Sequence, residues 1–324
     1  MRLLVVGMLM RLLWCAVAHG TNHGMELLTG QLRATLAASM SPFDDATRQR
    51  LMISALQDEQ PDAMYLLAML KLYGREVDQD FTGAVRLLQK AAQREHKDGQ
   101  FALGTLYTLD DGPLPRNDRL AIQWLTASAD HDHPDAKWML ATLYNQGRGV
   151  RENPGRAVDL LVDAIRSHAS ARAMFHLGVM HEYGRGVDRN PERAAELYKQ
   201  ASDEGVIEAT YYLGLLYADG RGVRQSSRTA LHYLSTAADQ GFAPAMLRLG
   251  EMYADGDGVA IDYALALHHF QRALESEDSM ALTAAEHRAK ELHSVIAQAN
   301  EFVRSQERAL GVPLHVQVGR IEQE

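Results

Sequence analysis

One phrase recurs along the chain: Leu-Gly-x-x-Tyr-x-x-Gly-x-Gly-Val, written almost in full at Leu213, Gly214, Tyr217, Gly220, Gly222 and Val223. Versions of it begin at Leu67, Leu103, Leu140, Leu177 and Leu249, so that successive copies start 36 or 37 residues apart. A fixed period of this length marks a stack of supersecondary units, each touching only its neighbours and needing no single large core. That removes the two ordinary domains that 324 residues would otherwise suggest.

The fifth copy shows how a unit folds. Ala209, Leu213, Leu216 and Tyr217 fall on one face of a helix. Gly214 borders that face and lets a neighbouring helix come close. Gly220 stops the helix, because glycine takes the left-handed conformation that a helix end favours. Gly222 permits a second sharp turn, and Val223 plugs the loop. A second helix then starts in every unit behind a capping residue: Asp80, Asn117, Asn153, Asn190, Ser226 and Asp262. Pro154 and Pro191 follow their caps at the first helical position, where proline loses no hydrogen bond. Small residues recur next, at Ala84, Ala121, Ala157, Ala194, Ala230 and Ala266, and bulky ones at Leu87, Trp124, Leu160, Leu197, Tyr233 and His269. Each unit is predicted to be helix, glycine loop, helix.

This pattern resembles the Sel-1-like repeat family, relatives of tetratricopeptide repeats with a longer loop, over six consecutive units spanning 61–278. The third to sixth units carry it most fully. Their motif residues are Leu140, Tyr144, Gly147 and Gly149; Leu177, Gly178, Gly184 and Gly186; Leu213, Gly214, Tyr217, Gly220 and Gly222; Leu249, Gly250, Tyr253, Gly256 and Gly258. The first unit departs from it with Lys71 in the tyrosine place and Glu76 for the second glycine, and the second with Asp111-Gly112-Pro113 for the glycine loop. The resemblance implies an all-α, right-handed α/α superhelical solenoid with its first helices on the concave side. It also implies a non-enzymatic protein–protein interaction scaffold.

Outside the repeats, 19–60 reads as a degenerate N-terminal helical cap with helical stretches at 25–40 and 44–57. A long amphipathic helix is predicted over 279–310, with a stripe of Ala281, Ala285, Ala289, Leu292, Ile296, Ala299 and Val303. It should close the end of the stack, or else pair with a partner helix. A flexible tail follows at 311–324. Residues 1–18 hold no acidic side chain and end in Ala16-Val17-Ala18, the composition of a secretory signal peptide, although Arg11 splits the apolar run. Export to a periplasm, the medium or the endoplasmic-reticulum lumen is therefore expected, with a mitochondrial presequence as the alternative. Cleavage after Ala18 would remove Cys15, the single cysteine, and with it any disulfide or thiolate metal site. No later apolar run is long enough to span a membrane.

Binding chemistry is sought between the motif positions. Aromatic residues stand two places before the motif leucine, at Tyr65, Phe101, Trp138, Phe175 and Tyr211, and are expected to pack between successive first helices. The place before the leucine and the place two after it vary more and face away from the core. In the third to sixth units these are Met139 and Thr142, His176 and Val179, Tyr212 and Leu215, Arg248 and Glu251. They are the candidate partner-binding ladder of the concave face. The net charge of −9 argues against a nucleic-acid partner. His131-x-His133 lies in an inter-repeat turn and His268-His269 point apart on a helix, so no metal or other cofactor is assigned. Asp255-Gly256-Asp257-Gly258 matches the repeat's own loop rather than a full calcium loop. No catalytic motif is present. Two alternatives come from the family resemblance. One is an endoplasmic-reticulum quality-control adaptor, whose usual glycosylation sequon and membrane anchor are missing. The other is a β-lactam hydrolase of the cysteine-rich branch, whose disulfides this chain lacks.

Overall fold

The computed structural model describes residues 45–74, 77–110, 112–275 and 279–310. The leader at 1–18, the first cap stretch at 25–40, Glu76, Asp111 and the tail at 311–324 lie outside the described residues. Those described form fourteen α-helices and no strand. They divide into two compact units, meeting in sequence between Arg189 and Asn190. The first holds α1 Asp45–Leu56, α2 Pro61–Tyr73, α3 Phe81–Gln93, α4 Lys97–Leu106, α5 Asp118–Asp130, α6 Pro134–Gln146, α7 Pro154–His168 and α8 Ala171–Tyr183. The second holds α9 Pro191–Asp203, α10 Ile207–Asp219, α11 Ser227–Asp239, α12 Ala243–Asp255, α13 Tyr263–Leu274 and α14 Ser279–Leu310. Within each unit every helix packs on the next, and α6 also touches α8, so that first helices stack on first helices.

The local reasons for these helices sit in their sequences. All six expected caps of the second helices form: the side chains of Asp80, Asn117, Asn153, Asn190, Ser226 and Asp262 each accept the backbone N–H three residues on. Such a cap is worth about 1 kcal/mol. Gly74, Gly147, Gly184, Gly220 and Gly256 end their helices in the left-handed region, φ running from 60° to 73°. The second unit of the repeat lacks this glycine. Its first helix, α4, stops at Leu106, and the following loop is held instead by Arg116, which donates to Asp110 at 2.8 Å and to Asp118 at 2.9 Å. In the first repeat Lys71 replaces the tyrosine and donates to the capping Asp80 at 2.8 Å.

Two features differ from the sequence reading. The alanine ladder is wholly buried, but the most deeply buried bulky side chain of each second helix lies one place after the expected one, at Leu88, Leu125, Leu161, Tyr198, Leu234 and Phe270. Three of these are received by first-helix glycines: a Cβ on Gly104, Gly214 or Gly250 would run into Leu125, Leu234 or Phe270. Trp124 and Tyr233 are partly exposed, although Leu87, Leu160, Leu197 and His269 are buried. The second loop glycine also does more than turn the chain. A Cβ on Gly149 would lie 2.5 Å from the carbonyl oxygen of Asp118, and one on Gly186 2.5 Å from that of Pro154. Gly222 stands in the same way over Pro191, and Gly258 over Ser227. Each loop is thus seated on the start of the preceding repeat's second helix.

The arginine between the two glycines ties the same edge. Arg148 donates to Asp118 at 2.9 Å and to the Thr108 carbonyl at 3.3 Å; Arg185 donates to Glu152 at 2.6 Å and to the Asn145 carbonyl at 2.9 Å. In the second unit α14 lies against α13 and α12. Ala285, Ala289, Leu292 and Ile296 enter the core there with Leu249, Met252 and Phe270. Ala299 is half-buried, and the side chains of Ala281 and Val303 lie outside the described ones.

Candidate protein-binding surface

The variable face of the first helices can be followed within each unit. In the first unit Met139 is only 3% exposed and accepts the Thr105 hydroxyl through its sulfur at 3.5 Å, so it joins α4 to α6 rather than offering surface. Thr142 is half-buried and donates back to the Trp138 carbonyl at 3.1 Å. His176 stacks on Trp138 with ring centroids 5.1 Å apart and planes 9° from parallel, and the Arg172 guanidinium sits 6.0 Å from the same indole. Burial, with the nearby Arg172 charge, pushes the His176 imidazole down to about 3, so it is neutral at ordinary pH. Val179 keeps part of its surface in solvent.

In the second unit Tyr212 is half-buried, tilted against Tyr198 of α9 at 5.7 Å and edge-on to Tyr211 at 5.4 Å. Leu215 packs at the rim of the core. Arg248 is held between two carboxylates, Asp257 at 2.6 Å and Glu251 at 3.6 Å. The result is a face on which an aromatic ring, an aliphatic side chain and an oriented guanidinium share one unit, the residue types that dominate protein interfaces. The Asp255-Gly256-Asp257-Gly258 loop spends its carboxylates on arginines, Asp255 on Arg288 at 2.8 Å and Asp257 on Arg248. His269 stacks parallel on Tyr253 at 5.8 Å and meets His268 edge-on; burial pushes it down to about 4.

The aromatic ladder packs between first helices and the turns that follow. Tyr65 lies against His96 at 5.0 Å, Phe101 stacks on His133 at 4.6 Å, Trp138 on His176, and Tyr211 against Phe242 at 5.2 Å. Sequence reasoning missed that His96 and His133 cap α4 and α6. Their Nδ1 atoms accept from Gly99 at 2.9 Å and from Ala136 at 3.2 Å. The signal was there in the 37-residue spacing of His96 and His133, each directly before a helix start.

Among the described residues no helix is long and apolar enough to cross a membrane, and no group of side chains is arranged to hold a metal ion. Paired helices, glycine loops and small-residue contacts repeated at one period define an α/α solenoid, a protein class built for presenting an extended surface. A family model described as the Sel1 repeat matches residues 61–96, 97–133, 134–164, 171–206, 207–242 and 243–278. The chain belongs to the Sel1 repeat family. Its fold is similar to that of a Sel1 repeat protein from Oxalobacter formigenes, with 26% identity over 71% of this chain and 92% of that one, at a TM-score of 0.66. It is also similar to a protective antigen present in uropathogenic Escherichia coli strains, which displays an SLR fold. That match has 25% identity, covers 72% of this chain at a TM-score of 0.61, and spans 49% of the antigen's chain. A search of curated protein sequences gave no match.

Proposed function

We propose that this protein is a non-enzymatic scaffold that holds a protein partner against the variable face of its first helices. The observation that carries this reading is the division of labour along those helices. Motif leucines and glycines are consumed by packing, whereas Tyr212, Leu215, Arg248 and Glu251 retain part of their surface while being held in place by neighbours. A pre-oriented aromatic and arginine bind at low entropic cost, because their rotamers are already restricted. A partner carboxylate would compete with Asp257 for Arg248, and a partner side chain would pack beside the Tyr212 ring. The Sel1 repeat family, whose members bind proteins, supports the same reading. A non-catalytic role fits the way the titratable groups of this face are spent, Arg248 on two carboxylates and His176 on an indole.

The experiment is affinity capture with the chain as bait, partners identified by mass spectrometry, repeated with Tyr212→Ala/Arg248→Ala. Loss of at least about tenfold in capture is expected, the size of one or two interface anchors. Undiminished capture by a double variant with unchanged circular dichroism rejects the face. Export is part of the proposal and rests on the composition of residues 1–18. N-terminal sequencing of the mature protein tests it, His19 being the expected first residue.

A further inference from the structure

The first unit contains the same turn built twice around a histidine. His96 and His133 are the N-caps of α4 and α6, and each ring makes three contacts at once. Nδ1 accepts the N–H of Gly99 or Ala136. Nε2 faces a carboxylate of the preceding first helix, Asp62 at 2.9 Å or Asp98 at 3.2 Å. The ring face lies on Tyr65 or Phe101 of that same helix. This geometry fixes the tautomer: Nε2 carries the proton and donates it to the carboxylate, and Nδ1 must be bare to accept. The next repeat uses Ser170 in the same place, its hydroxyl accepting from Ala173 at 3.4 Å without proton chemistry.

We infer that the His96 and His133 turns form an acid-sensitive seam in the first unit, where one added proton per ring releases a helix cap. The proton has one place to go. Bound at Nδ1, it turns the cap acceptor into a donor facing the donor of Gly99 or Ala136. It also sets a cation at the positive end of a helix dipole. Turning the ring away would forfeit the stacking and the carboxylate bond together.

The surrounding charges do not reverse this. Around His96 stand Asp62 and Tyr65 on α2, Lys97 and Asp98 on α4, and the turn residues Arg94 and Glu95; Arg94 and Lys90 are paired with Glu59. Asp62 is 96% exposed, so its attraction for an imidazolium is screened. Around His133 stand Asp98 and Phe101 on α4, Asp130 at the end of α5, and His131, bonded to the Glu95 carbonyl. Asp135 there accepts from Trp138, and Asp132 is committed to Lys137 and His168. Burial raises the Asp98 carboxyl, but the hydrogen bond from His133 and the basic side chains beside it, Lys97 among them, hold it below the usual carboxylate range. It stays ionised, yet it is shared among three basic neighbours.

The test follows amide protection in the full-length protein as the pH is lowered from about 7.5 to about 5.5. After correction for intrinsic exchange, Gly99 and Ala136 should lose about tenfold in protection, the size of one cap. Ala173, capped by Ser170, should hold. In His96→Ser/His133→Ser all three should hold. Nitrogen shifts of the two imidazoles should report a proton on Nε2 at the upper pH. Constant or rising protection at Gly99 and Ala136, an equal fall at Ala173, the same fall in the double variant, or a proton on Nδ1 overturns the inference. Should the variant not fold, the contrast of Gly99 and Ala136 with Ala173 in the native chain decides by itself.

Discussion

Gly222 answers to two demands, of which Gly205 shares only one. Both lie in the left-handed region, φ 67° and 84°, but a Cβ on Gly222 would strike the backbone of Pro191, whereas one on Gly205 would meet open space. Gly205→Ala should therefore cost only the backbone penalty, about 1–2 kcal/mol. Gly222→Ala should cost more, about 2–4 kcal/mol, since the loop must also lift from the helix beneath it. Denaturant melts of the two variants, read against the parent, check the ordering. Sequence pattern made the positive φ of the first loop glycine legible. The second was legible as a turn, but its close seat on the helix beneath was not, because that contact lies a whole repeat earlier in the chain. His176 makes a pH-dependent prediction at the same scale. Its folded value of about 3 lies below the ordinary 6.5, so the unfolded chain binds more protons between the two. Stability from this site is complete above about pH 6.5 and is lost as pH falls toward 3. His176→Leu should flatten that part of the Tm–pH curve, and an unchanged slope would contradict it.

At the scale of elements, the six second-helix caps could be read from sequence, as Asp, Asn and Ser advertise themselves before a helix. The histidine caps of α4 and α6 were overlooked, because imidazole is not among the residues that ordinarily cap, and only their 37-residue spacing marks them. The burial pattern was legible to within one residue. The expected stripe placed His269 at the contact, where Phe270 goes deepest, because a helix rotates 100° per residue and its orientation is set by Gly250 of the partner helix. The terminal helix invites a direct test. Leu292 and Ile296 lie in the core with Phe270, and beyond Ile296 no described side chain of α14 is buried. Ile296→Asp should lower Tm by several degrees and raise binding of an apolar dye, at a cost of about 2–4 kcal/mol for a buried charge without a partner.

For the molecule as a whole, the repeat period was enough to name the architecture, because a period constrains every unit at once. The candidate face was only half legible. Helical geometry placed Tyr212 and Arg248 beside the core stripe, but whether a residue there is surface or seam depends on what the neighbouring repeat brings against it. Met139 meets the Thr105 hydroxyl and is buried; Arg248 meets the carboxylates of Asp257 and Glu251 and stays accessible at its edge. A capture experiment that moves with Arg248→Ala and not with Thr142→Ala would locate the partner on the second unit. The described ties between repeats share one further property. Arg148 with Asp118, Arg185 with Asn145, His168 with Asp132, Arg272 with Asp239 and Arg288 with Asp255 all join residues 30 to 40 positions apart. None of these bonds requires the chain to search for a distant stretch of itself, and low sequence separation favours rapid folding. Each such bond closes as soon as the next helix pair has emerged, so a polypeptide wired in this way can set its early repeats while the ribosome is still making the later ones.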